Sequence, residues 1–154
     1  MKRTTTIVIL AALASGTLVL GPEPSRGAPR HAPLVAQART DVRAQLRTAI
    51  QHAGFATEGD SLGYVRLHLG HTLNCIEGPA GKNFDRAWGN VCQGQGNGIL
   101  TDLRSAPGGA TYRTVTEHAD TLAAAGVASR DVAEIKTVAK AVGALLAVIA
   151  DGLK

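Results

Sequence analysis

The run SRDVAEIKTVAKAVGALLAVI, residues 129–149, sets Val132, Ile135, Ala139, Val142, Leu146 and Ile149 at steps of three and four, the spacing of one helix face. Val138, Leu145 and Val148 stand beside that stripe and widen it. A face this broad belongs to a helix enclosed by several neighbours, the central member of a bundle. Ser129 is the candidate N-cap. The surplus of Val and Leu also points to self-association of the chain as a homo-oligomer through this helix. No alternating strand pattern competes with the helical one, so the expected class is all-α.

Upstream, residues 111–125 place Val115, His118, Leu122 and Ala125 on one stripe, which predicts a helix with His118 turned inward. Ile99, Leu100 and Leu103 mark a short helix ended by Ala106-Pro107-Gly108-Gly109. The segment 78–98 holds six glycines in 21 residues, far above an average share of ~7%, and reads as a loop. Phe84 and Trp88 lie four apart inside it, where one helical turn would lay both rings over the core. Before the loop, a helix over about 62–76 follows the capping candidates Asp60 and Ser61 and is stopped by Gly78-Pro79-Ala80-Gly81. Val42, Leu46, Ala49, Ile50 and Ala53 predict the first helix, with Gly54 as its terminator.

Two cysteines, Cys75 and Cys92, flank the loop and are expected to pair. Closing a loop of that length contributes ~3 kcal/mol on the chain-entropy view, a large share of a small domain's stability. The expected architecture is a disulfide-closed small helical bundle of four main helices plus one short helix. It forms one domain over residues 39–154, with the glycine-rich loop at 78–98.

The N-terminal residues explain why a disulfide is reasonable. Lys2 and Arg3 precede the apolar run Ile7 to Leu20, and a Pro/Gly/Arg-bearing segment follows, the layout of a secretory signal. The run is short of the ~20 residues that a membrane span needs, so a cleaved leader over residues 1–38 is the first reading and a retained anchor the second. Ala36-Gln37-Ala38 has the small-x-small form of a cleavage site. A periplasmic or secreted protein is therefore expected, with no other membrane association. The whole chain has 16 basic and 12 acidic residues, a formal charge of +4. Loss of the leader takes Lys2, Arg3, Arg26, Arg30 and Glu23, leaving 12 basic and 11 acidic residues. The remaining Lys and Arg are scattered singly, which excludes a clustered nucleic-acid-binding face.

The chemistry-bearing residues are imidazoles. Tyr64, His68, His71 and Cys75 share one stripe of the predicted second helix. His68 and His71, three residues apart, have Cβ atoms ~5–6 Å apart and can point at one ion. His118 is the expected third ligand of a transition metal, with Asp60, Glu77, Asp85 and His52 as fourth-ligand candidates and Asn74 as an outer partner. Imidazole sites suit Zn, Cu, Ni or Fe. The competing expectation is a structural or protein-interaction module whose histidines are buried hydrogen-bonding groups that pin the glycine-rich lid. His52, read at a helix end, favours the helix dipole when protonated. Haem ligation through His71 and His118 is a weaker option, and no Cys-x-x-Cys-His supports covalent attachment. The loop 93–98 lacks the Gly-Lys-Ser/Thr ending of a phosphate cradle. No hydrolase signature and no nucleophile-base pair is present, so the pattern does not point to an enzyme.

Overall fold

Asp41 opens the first helix, its side chain accepting from the Ala44 amide at 2.9 Å. The computed structural model describes residues 40–153; the expected leader over 1–38 lies outside them. Five α-helices and no strand occur among the described residues: α1 (Val42–Glu58), α2 (Leu62–Glu77), α3 (Ile99–Asp102), α4 (Arg113–Ala128) and α5 (Val132–Gly152). The expected four main helices and one short one are all present. No helix among these residues is long and apolar enough to cross a membrane. Helix α1 packs on α2 and α5, and α4 packs on the same two helices from the other side. The core between them contains Leu46, Leu69, Leu73, Ile76, Ile135, Val142, Leu146 and Ile149, all essentially inaccessible to solvent.

Helix α1 does not stop at Gly54. It continues one more turn to Glu58 and ends at Gly59. A glycine inside a helix costs ~1 kcal/mol relative to alanine. Here Ala49, Ala53 and Ala56 remain fully buried through that point, and the added burial of Ala56 and half-buried Phe55 offsets the cost. The correction moves His52 from a helix end to a helix interior.

Helix α2 starts at Ser61, whose hydroxyl accepts from the Tyr64 amide at 3.3 Å. It ends at Gly78, where the backbone turns to φ +70°. Gly98, at φ +108°, lies against this turn. A Cβ on Gly78 would strike the Asn97 carbonyl, and one on Gly98 would strike the backbone of Glu77. The two glycines thus let the long loop return flush against the end of the helix.

Helix α4 is rotated from its predicted face. His118, Leu122 and Ala125 are exposed, while Thr116, Ala119, Asp120, Ala123, Gly126 and Val127 are buried. The inward stripe is built from small residues because α4 approaches closely: a Cβ on Gly126 would collide with Leu69 and Val138. A hydrophobicity pattern favours Leu122, whereas close packing favours Ala and Gly. Helix α5 buries the predicted Ile135, Ala139, Val142, Leu146 and Ile149, and leaves Val148 57% exposed. Its cap is Asp131, which accepts from Ala133 at 2.8 Å. The expected cap, Ser129, accepts instead from the Asp131 amide and donates to Glu134 at 2.7 Å.

The Cys75–Cys92 disulfide is formed, with Cα atoms 5.4 Å apart. Around it the loop is held by side chains from the helices. Asn74 donates to the carbonyls of Asp85 (2.7 Å) and Gly89 (2.6 Å) and accepts from the Asp85 amide at 2.9 Å. Gln45, fully buried on α1, donates to Asp102 at 2.7 Å and accepts from the Gly98 amide at 3.0 Å.

Candidate metal centre

Helices α1 and α2 form a hairpin joined by a three-residue turn, so residues on facing sides meet level by level. Thr72 sets the level by donating from its hydroxyl to the Ala49 carbonyl at 3.2 Å. One turn closer to the hairpin bend, His52 of α1 meets His68 and His71 of α2. The three imidazoles are half-buried, at the edge of the helix pair rather than on the core stripe expected for His68 and His71. The fully buried side of α2 is carried by Val65, Leu69, Thr72, Leu73 and Ile76.

The ring nitrogens converge. His52 Nδ1 lies 2.9 Å from His68 Nδ1 and 3.2 Å from His71 Nδ1. One ligand atom from each histidine lies within 4.8 Å of the other two. Nitrogens bound at about 2.0–2.1 Å to a tetrahedral zinc stand about 3.3–3.4 Å apart. The shorter separations here fall near that value. These three histidines can hold a metal ion, and His52 also lies within hydrogen-bond distance of the other two.

Proton counting limits the hydrogen-bond arrangement. A neutral imidazole nitrogen carries one hydrogen or one in-plane lone pair, never both. His52 Nδ1 can therefore make a linear hydrogen bond to only one of its two neighbours. His71 adds a constraint on its other side, where Nε2 faces Gly89, 4.0 Å from the place of a Cβ on that glycine. Burial lowers His71, and the Trp88 backbone beside the ring partly offsets this by favouring the charged form.

Electrostatics keeps the cluster neutral. Burial, then the charges of His71 and His68, lowers His52 to about 4. His68 is lowered by burial and by His71, and His71 chiefly by burial. Each of these shifts favours the uncharged form that metal binding requires. Aromatic rings hem the site: Phe55 stands edge-on to His52 at 5.5 Å and Tyr64 lies 4.3 Å from His68. The Trp88 ring covers Gly70, where no Cβ would fit.

No family model, curated protein or solved structure matches this chain. The residue geometry alone therefore carries the functional argument.

The other sequence candidates lie apart from the triad. His118 is exposed on α4 and belongs to no ligand group among the described residues, so neither the His118-completed metal set nor the His71–His118 haem pair is assembled. Asp60 pairs with Lys136 at 3.7 Å. Asp85 caps the short 3-10 turn Arg86–Trp88 through Ala87 at 2.8 Å. Cys75 is committed to the disulfide. Asn74 holds the loop backbone at Asp85 and Gly89, flanking Trp88, and so acts on His71 only through that turn.

Glu77 belongs to a separate buried pair with Asp120 of α4. Asn83 donates to Glu77 at 2.7 Å and reaches Asp120 Oδ2 at 3.5 Å. Burial, then the charge and hydrogen bonding of Glu77, pushes Asp120 up to about 6, against the pull of Lys82 and Asn83. Asp120 Oδ1 is buried without a hydrogen-bond partner. Asp120 stands in no sequence motif. Its only signal is a carboxylate one residue beyond Ala119 on a face of small residues.

Proposed function

We propose that the protein binds a transition metal ion through His52, His68 and His71. The supporting observation is the convergence of three ring nitrogens, where the single bonding site of His52 Nδ1 cannot serve both neighbours at once. Nitrogen-only ligation at this spacing suits Zn2+, Cu2+, Ni2+ or Fe2+, with the copper and zinc end of the series bound most tightly. The signal-like N-terminus and the disulfide together favour a periplasmic or secreted site of action, since disulfides persist in oxidising compartments. In this reading residues 39–154 act as one binding domain, and its partner is the metal ion.

A second reading is favoured by the 2.9 Å and 3.2 Å contacts themselves. There the imidazoles are structural hydrogen-bonding groups that join α1 to α2 and support a protein-interaction module. Elemental analysis of the exported chain, with melting curves before and after chelation, separates the two. A stoichiometric metal whose removal lowers Tm supports the metal site. A metal-free protein that takes up no Zn2+ on titration and whose melt is unmoved by Zn2+ rules it out and leaves the structural reading.

A further inference from the structure

We propose that the metal ion held by His52, His68 and His71 keeps a fourth, exchangeable position that takes a small monovalent anion. The inference rests on the metal reading above and goes beyond it by naming a ligand for the bound ion.

Three imidazoles are neutral donors, so a divalent ion among them retains its full +2 charge. In many metal sites a carboxylate or thiolate supplies the compensation. Among the described residues none joins this group: the ligand set contains histidines only. The carboxylates and the thiol that the sequence offered as ligands are engaged elsewhere, Asp60 with Lys136, Asp85 with the Ala87 amide, Glu77 with Asn83 and Cys75 with Cys92. The site is also partly desolvated, since all three rings are half-buried. An uncompensated dication there is costly, and an anion in the ion's own coordination sphere relieves the cost more completely than distant surface charge. The half-exposure of all three rings leaves a way in from solvent. Three protein ligands and one exchangeable position is the arrangement that lets zinc carry water, hydroxide or another small donor.

The test uses Co2+ as a visible substitute for Zn2+ in the full chain, with azide as the anion. Co2+ is expected to bind one per chain, and azide to change its visible bands saturably, one anion per metal. The His118→Ala protein is expected to behave identically. Bound Co2+ with a spectrum unmoved by azide overturns the open position while leaving the metal site intact. Failure to bind Co2+ or Zn2+ overturns the metal reading, and this inference with it.

Discussion

Gln45 and His52 stand two turns apart on the same side of α1, and each meets a polar cluster, yet the clusters differ in kind. At Gln45 the donors and acceptors match. Its amide nitrogen serves Asp102 Oδ2, its oxygen takes the Gly98 amide, and Asn97 supplies the remaining donors to Asp102 at 2.8 and 3.2 Å. Gln45 is completely buried and Asp102 5% exposed. At His52 the rings are half-exposed and the single bonding site of Nδ1 cannot serve both neighbours at once. A satisfied, sealed cluster is a structural clamp. An edge cluster with lone pairs to spare can bind a ligand.

Exchanging the damage between the two clusters gives the largest expected effects. His52→Ala removes a direct ligand, and Zn2+ affinity is expected to fall more than about 100-fold, beyond the loss typical of outer-sphere changes. The melting temperature of the metal-free protein should change little. Gln45→Ala takes one donor from the buried Asp102 carboxylate and leaves the Gly98 amide without its acceptor, at a cost of about 2–3 kcal/mol. That corresponds to a Tm lower by roughly 10 °C for a domain of this size, with one Zn2+ still bound per folded chain. Competition with a chromophoric chelator and differential scanning calorimetry read the two quantities independently. If Gln45→Ala loses metal as completely as His52→Ala, the distinction between clamp and ligand cluster fails.

Acid titration sharpens the same contrast through the sign of one shift. His52 has a folded-state value of about 4 against an ordinary 6.5. As pH falls, the unfolded chain takes up that proton first. The stability associated with neutral His52 is therefore present above about pH 6.5 and lost progressively as pH falls toward 4. Denaturant midpoints of the metal-free protein should decline over that window. His52→Ala should flatten the decline, and a slope unchanged by the substitution would show that the imidazole is not held neutral by its surroundings.

Much of this architecture could be read from the sequence, and the misreadings share one cause. The stripe Ile135, Ala139, Val142, Leu146 and Ile149 consists of large or medium apolar residues, so periodicity alone identified the buried face of α5. The pairing of Cys75 with Cys92 followed from there being only two cysteines in a chain read as exported. Where the buried face is made of Ala and Gly, periodicity pointed to the wrong side, as on α4 with His118 and Leu122. The same bias ended α1 at Gly54 and demoted His52, although Ala49, Ala53 and Ala56 continue the inward spacing past it. Two of the three clustered histidines were found because they share a helix. The third depended on the register between α1 and α2, which is set by tertiary contacts such as Thr72 to Ala49.

The carboxyl pair at the far end of α2 gives the smallest expected effect and the opposite sign. Asp120, with a folded value of about 6, is raised above its ordinary 3.8, so the folded state holds the proton more tightly than the unfolded chain. Its contribution is fully present below about pH 3.8 and lost as pH rises through 6, the reverse of His52. Asp120→Asn removes the buried ionisable group while keeping the size of the side chain. The variant is expected to match the parent near pH 4 and to be slightly more stable at pH 7.5, with Zn2+ affinity unchanged. Chemical denaturation at the two pH values measures this directly, and a variant less stable at pH 7.5 than at pH 4 relative to its parent would show that Asp120 is stabilising as a charged group. Glu77 is the last residue of α2, with the loop's glycine return against its backbone. Loosening the pair at high pH therefore acts on the loop at Gly78 and Gly98, at the opposite end of α2 from the turn that joins it to α1.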